Sequence, residues 1–117
     1  RELEMAKLAC RALDEKKGKD IKVIDIHEVS VIADYFVIAS ASNQNQVQAM
    51  VDNVDETLGR AGFEAKQIEG TRNSSWVLMD YGDMIVHVFD DENRLFYDLE
   101  RIWRDGKVLD VNEFLEK

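Results

Sequence analysis

The chain has 117 residues, of which 45% are apolar and 33% charged, with a formal net charge of −9. This composition is typical of a single globular domain, 1–117, and excludes a disordered or fibrous chain. The acidic balance disfavours direct nucleic-acid readout because it repels phosphate, and one cysteine excludes a disulfide framework or a multi-cysteine zinc site. With no apolar run long enough for a bilayer and no signal-peptide pattern, we expect no membrane partner and a cytoplasmic location.

The first half of the chain predicts a helix, two strands and a second helix. Apolar residues spaced by three and four predict an amphipathic helix over 2–17 that ends at Gly18. The segments IKVIDI (21–26) and DYFVIAS (34–40) are short and rich in β-branched or aromatic residues, which is typical of strands. Ser40, Ser42 and Asn43 are candidate caps for the next helix, whose apolar stripe starts at Val47 and which ends at Gly62.

The second half predicts a weak strand, a hairpin and a last helix. The weak strand is EAKQIEG (64–70), and the hairpin joins WVLMD (76–80) to DMIVHVF (83–89). A long helix follows from Asp90 or Asp91 to Gly106, and VNEFLEK adds a short amphipathic piece. The fold class is therefore α/β, a mixed β-sheet of about five strands packed with helices.

The hairpin sequence favours a tight turn. If Asp80 and Tyr81 are its central residues, Gly82 takes the left-handed conformation and Met79 lies opposite Asp83. Alternation along the strands then puts Trp76 and Leu78 on the same face as Met84, Val86 and Val88. Both faces are largely apolar, so we expect the sheet to be covered on both sides, by its own helices or in part by another molecule.

The titratable residues give little support to catalysis. Asp80 and Asp83 lack a third ligand in a recognised spacing, so no metal or cofactor is expected. His27 and His87 are far apart in sequence, and a lone strand histidine such as His87 is usually structural. Cys10 lies on an apolar helix stripe and is expected in the core.

Amphipathic aromatic residues are candidates for contacts with a partner, because they bury a large area and keep a polar atom. These residues are Tyr35, Trp76, Tyr81, Tyr97 and Trp103. Trp103 shares the apolar stripe of the last predicted helix and is expected to be structural. Tyr81 stands at the tip of the turn, so we predict that it is exposed.

Several segments together resemble the ribosomal silencing factor family, also called Iojap-like proteins. They are ADYFVIAS (33–40), QV (46–47), EG (69–70), WVLMDYGDMIVHVF (76–89) and RLFYDLERIW (94–103). The similarity runs in order over nearly the whole chain. It implies a nucleotidyltransferase-like topology without that fold's catalytic carboxylates, and therefore a protein that is not an enzyme.

The resemblance also implies a partner. Members of the family bind the large ribosomal subunit through its L-fourteen protein and sterically block association with the small subunit, which represses translation under nutrient limitation. Carried onto this chain, the contact residues are Trp76, Met79, Asp80, Tyr81 and Asp83, with Tyr35 beside them. Their carboxylates would pair with basic side chains of the ribosomal protein.

Other functions stay open at this level. Organellar relatives act in assembly of the large subunit, and a homodimer of the free protein is a further option. A nucleotidyltransferase-like enzyme would need a Gly-Ser loop and converging acids, whereas the loop here reads ASASNQNQV and contains no glycine. The family more often has glycine at Ala41 and a basic residue near Asn45, which leaves the role of this loop in partner contact open.

Overall fold

A computed structural model describes residues 2–28, 31, 33–70, 76–90, 107–109, 111 and 115. Within these residues the chain forms two helices and six strands. In chain order the elements are α1 Glu2–Glu15, β1 Lys19–Asp25, β2 Tyr35–Ala41, α2 Gln44–Arg60, β3 Gln67–Glu69, β4 Trp76–Asp80, β5 Met84–Asp90 and β6 Lys107–Leu109. The last predicted helix and most of the terminal piece lie outside the described residues.

The strands form one mixed sheet in the order β3-β4-β5-β2-β1-β6. The central pair, β2 and β5, is parallel, and the other neighbours are antiparallel. The mixed α/β class is confirmed. Strand β6 was not predicted, because its three residues are too few to show a period.

The two helices pack together on one face of the sheet. Asn43 caps α2 by accepting the Gln46 backbone N–H at 2.8 Å, as predicted, and the Gln46 side chain accepts the Ser42 N–H at 2.7 Å. The Gln46 amide also donates to the carbonyls of Lys16 and Lys17, both at 3.0 Å. It thereby satisfies carbonyls that follow the C-terminal end of α1, and joins the two helices. Cys10 is fully buried in the core that the helices form with the sheet, as predicted.

The opposite face of the sheet is also apolar and buried. Its core residues are Ile24, Ile26, Ala33, Phe36, Ile38, Ile85 and Phe89. The half-buried side chains of Trp76 and Leu78 pack against this cluster, and His87 lies among them with 3% of its surface exposed. The prediction that both faces are covered is confirmed.

The register of the hairpin differs from the prediction. Gly82 does adopt a positive φ of 90°, but Asp80 lies opposite Ile85, and the Tyr81 N–H donates to the Met84 carbonyl at 2.8 Å. Met79 therefore pairs with Val86, not with Asp83. Because the pairing shifts by an odd number of residues, Trp76 and Leu78 share a face with Ile85, His87 and Phe89.

No helix in the described part of the chain is long and apolar enough to cross a bilayer.

Candidate functional site

The hairpin tip, residues 80–84, is held by hydrogen bonds to its own backbone and to β2. The Asp80 carboxylate accepts the Gly82 N–H at 2.7 Å, which closes a small turn. The Asp83 carbonyl accepts the N–H groups of Asp34 and Tyr35, at 2.7 and 3.1 Å. The half-buried Asp80 and the exposed Asp83 therefore stand on a fixed piece of backbone.

Tyr81 is buried, contrary to the prediction that the turn would expose it. Only 6% of its surface is accessible, and it belongs to the core between the sheet and the helices. Burial, with a smaller contribution from the Asp55 carboxylate, raises the pKa of the phenol. The hydroxyl is one of two buried side-chain polar atoms without a hydrogen-bond partner in the described part of the chain.

Met79 is fully buried in the same core. A buried side chain can support a surface but does not form it. Of the six predicted contact residues, Met79 and Tyr81 therefore offer no side-chain surface to a partner. Tyr35, Trp76, Asp80 and Asp83 do, because each is half-buried or exposed.

A cavity of about 220 Å³ lies at the other end of β4. We call it the Trp76 pocket; it is lined by Glu69, Gly70, Trp76 and Leu78. Gly70 approaches the Trp76 backbone so closely that a Cβ at this position would lie 2.8 Å from the Trp76 carbonyl oxygen. The Glu69 carboxylate accepts a hydrogen bond from the Gln67 amide at 2.9 Å, which orients it. The described lining of the pocket thus combines the Glu69 carboxylate with an indole and an aliphatic side chain.

An aromatic cluster supports the Trp76 side of this pocket. The Trp76 indole stacks on Phe89, with ring centroids 5.4 Å apart, and its Nε1–H donates to His87 Nδ1 at 3.1 Å. Phe36 meets the His87 ring edge-on at 4.7 Å. Burial lowers the pKa of His87 to about 4, so the imidazole is neutral at neutral pH.

The predicted contact residues fall into two groups rather than one. Trp76 and Asp80 stand at opposite ends of β4, about 13 Å apart for an extended strand of this length. Tyr35 pairs with Met84 and so lies near the hairpin tip, together with Asp80 and Asp83. Trp76 is instead grouped with residues that the sequence did not single out.

Those additional residues are Glu69, Gly70 and Leu78. A signal for two of them was present, since the EG pair at 69–70 is one of the segments that resemble the family. No local pattern assigns a role to this pair, because 69–70 comes close to Trp76 through the pairing of β3 with β4.

In the described part of the chain, the remaining titratable residues do not assemble a reactive centre. The described residues contain no group of three or more His, Cys, Asp or Glu arranged to hold a metal ion. Burial raises the pKa of the Cys10 thiol to about 12, which suppresses the reactive thiolate. His27, exposed beyond the end of β1, hydrogen-bonds to Asp25, and that bond raises the pKa of His27.

The chain matches a known protein family over its whole length. The sequence model for the family described as "Ribosomal silencing factor during starvation" matches residues 1–117. The chain belongs to the ribosomal silencing factor family. It is 37% identical over 106 residues to the Bacillus subtilis protein named "Ribosomal silencing factor RsfS", which covers 91% of this chain and 90% of that protein.

The fold and a more distant relative agree with this family. A crystal structure of a Chromobacterium violaceum protein superposes with a TM-score of 0.86 at 35% identity, covering 89% of this chain and 87% of that one. The mouse protein named "Mitochondrial assembly of ribosomal large subunit protein 1" is 30% identical over 94 residues, covering 78% of this chain and 41% of the mouse protein. The family resemblance inferred from the hairpin and its neighbours is confirmed.

Proposed function

We propose that this protein is a ribosomal silencing factor that binds the large ribosomal subunit through its L-fourteen protein and sterically blocks association with the small subunit. The observation that carries the proposal is the family match over residues 1–117. The identity to the Bacillus subtilis silencing factor over nine-tenths of both chains supports it. Binding alone would repress translation, so the mechanism requires no nucleotide and no catalytic residue.

The Trp76 pocket is suited to a long basic side chain of the partner. The indole face and Leu78 can cover the aliphatic stem of a lysine or arginine, while the Glu69 carboxylate pairs with its charged head. Such a contact desolvates an aromatic anchor, which is the kind of residue that dominates binding energy at interfaces. The net charge of −9 would also speed the encounter with a basic ribosomal protein.

The hairpin tip offers a second contact. Asp80 and Asp83 present carboxylates on a backbone fixed by the hydrogen bonds to Gly82, Asp34 and Tyr35. A preorganised acid loses little freedom on pairing with a base, so it contributes more to affinity than a mobile one. Met79 and Tyr81 are buried in the core and would support this contact by holding the ends of the strands in place.

Subunit reassociation tests the proposal directly. Purified subunits are mixed with and without the protein, and joined ribosomes are quantified on a gradient. We expect the wild-type protein to sediment with the large subunit and to reduce joining without added nucleotide. A Glu69→Gln, Asp83→Asn double variant should lose most of this effect, and the loss should be smaller as salt is raised.

A matched control separates a specific contact from net charge. The exposed Glu15 of α1 and Asp52 of α2 lie in the helix layer, on the sheet face opposite Trp76 and toward the Ser40 end of β2, away from the hairpin tip. The double variant Glu15→Gln, Asp52→Asn removes the same number of charges and should block joining as well as the wild type does. A wild-type protein that fails to sediment with large subunits would refute the proposal. Light scattering on the same sample reports whether the free protein is a homodimer.

Assembly of the large subunit is a second candidate, supported by the similarity to the mouse mitochondrial protein. An assembly factor should associate with immature large subunits, and its depletion should make such precursors accumulate. A silencing factor should instead bind mature subunits, and its depletion should leave their maturation unchanged. Gradient profiles of depleted cells, with the precursor RNA measured in each fraction, distinguish the two.

A further inference from the structure

His87 sits where it controls the orientation of Trp76. Strand pairing puts His87 opposite Leu78 and Phe89 opposite Trp76, so all four side chains share one face of the β4–β5 hairpin. The imidazole is nearly inaccessible, whereas the indole is half-buried and forms part of the Trp76 pocket. Among the described residues, it is the tryptophan that connects the histidine to the pocket.

The hydrogen bond between them fixes the state of the imidazole. An indole N–H can only donate, so Nδ1 of His87 must be the acceptor in the 3.1 Å contact with Trp76 Nε1. In a neutral imidazole the proton then resides on Nε2. Phe36 meets the ring edge-on and Phe89 lies parallel to it, with centroids 4.7 and 6.2 Å away, so the ring has little freedom to turn.

Stability alone does not explain a histidine at this position. The buried Nε2 has no hydrogen-bond partner in the described part of the chain, and an unsatisfied buried donor is destabilising. A phenylalanine would fill nearly the same space without that cost. A phenylalanine, however, could not accept a hydrogen bond from the indole N–H of Trp76.

We propose that His87 is a positioning residue, whose Nδ1 holds the Trp76 indole in one orientation at the wall of the Trp76 pocket. Stacking on Phe89 sets the plane of the indole, and the hydrogen bond to His87 selects its direction within that plane. The binding partner then meets an aromatic wall that is already ordered. The partner's identity rests on the proposed function, whereas the ordering of the indole does not.

Nuclear magnetic resonance tests the ordering without any partner. In the wild type at neutral pH, the ¹⁵N shifts of His87 should show an unprotonated Nδ1 and a protonated Nε2. The Trp76 indole N–H, assigned by comparison with Trp76→Phe, should exchange slowly with solvent. In His87→Phe its resonance should move and its exchange should accelerate by about tenfold or more. A protonated Nδ1 in the wild type, or unchanged exchange in His87→Phe, would overturn the proposal.

A conservative variant separates positioning from packing. The side-chain oxygen of His87→Asn can accept near the place of Nδ1, so this variant should restore slow indole exchange although it packs less well. Affinity for large subunits should fall about three- to tenfold in His87→Phe and recover in His87→Asn. If the wild type binds no ribosomal subunit, the proposed function fails while the exchange measurement still decides the role of His87. If affinity for large subunits correlates across the variants with the free energy of unfolding and not with indole exchange, His87 contributes only by packing.

Discussion

The Asp80 carboxylate accepts the backbone N–H of Gly82 at 2.7 Å, so this acid is part of the turn as well as part of the surface. Asp80→Asn keeps an acceptor oxygen and should change the free energy of unfolding by less than about 0.5 kcal/mol. Asp80→Ala leaves the Gly82 N–H without its partner and should cost about 1 kcal/mol. Urea denaturation of both variants measures the difference. Equal stability of the two variants would mean that the hydrogen bond does not stabilise the turn. Because Asp80→Asn preserves the turn, it is the variant to use in binding measurements.

Tyr81→Phe removes a buried hydroxyl that has no partner in the described part of the chain. We expect its free energy of unfolding to rise by about 1 kcal/mol, because the unsatisfied group is no longer desolvated. Tyr81→Ala should instead cost about 3–5 kcal/mol, since it leaves a cavity in the core. A loss of stability in Tyr81→Phe would show that the hydroxyl makes a hydrogen bond. Only Tyr81→Phe is suitable for testing this residue in ribosome binding.

Gly70→Ala should distort the Trp76 pocket. Gly70 has a φ of 113°, and the added methyl group would lie 2.8 Å from the Trp76 carbonyl, which belongs to the strand backbone and cannot turn away. Gly62→Ala is the matched control, with a φ of 92° but no atom within 4 Å of the added group. The control should cost about 1–2 kcal/mol, and Gly70→Ala clearly more. If chemical denaturation shows similar losses of stability for the two variants, β3 accommodates the added methyl group without strain.

His87 should make the protein less stable in acid. Its folded pKa of about 4 lies below the ordinary value of 6.5, so the unfolded chain binds a proton first. The stabilising contribution is therefore fully present above pH 6.5 and is lost as the pH falls toward 4. Over that window the free energy of unfolding should fall by about 3 kcal/mol because of His87. Carboxylates titrate in the same range, so the measurement is the difference between wild type and His87→Phe. A constant difference across this window would contradict the expectation.

Cys10 should be inert in the folded protein. Its side chain is fully buried and its pKa is about 12, so the native thiol should not react with an aromatic disulfide reagent at neutral pH. In denaturant the same thiol should react completely. The native rate should therefore follow the rate of unfolding. A fast reaction that leaves circular dichroism unchanged would show that α1 opens locally.

Most of the secondary structure could be predicted from local patterns. The strand over 76–80 and the helix ending near Gly62 depend on neighbouring residues, and the structure has β4 at Trp76–Asp80 and α2 at Gln44–Arg60. The turn at Gly82 was also predictable, because its positive φ favours glycine. These features require no knowledge of distant contacts.

The errors concern relationships between elements. The predicted turn placed residues 80–82 between a paired Met79 and Asp83, whereas in the structure residues 81–84 lie between the paired Asp80 and Ile85. Tyr81 looked exposed because its position in the turn does not reveal that the helix layer covers it. Likewise, Glu69 joins Trp76 only through the β3–β4 pairing, which no local pattern specifies. The hairpin residues of the candidate site could therefore be predicted from the sequence, whereas the residues that line the Trp76 pocket beside Trp76 could not.

Strand β6 pairs with β1, yet it follows β5 in the chain, and β5 pairs with β2 in the other half of the sheet. The half of the sheet formed by β6, β1 and β2 therefore cannot be completed before the chain has passed through β3, β4 and β5. The parallel ladder at the centre, from Tyr35 opposite Met84 to Ala41 opposite Asp90, closes a long loop and forms late. A nascent chain that has emerged only as far as Gly70 would have β1 and β2 but no neighbour for the inner edge of β2. Folding should accordingly occur in one cooperative step, after synthesis of β6, and not strand by strand.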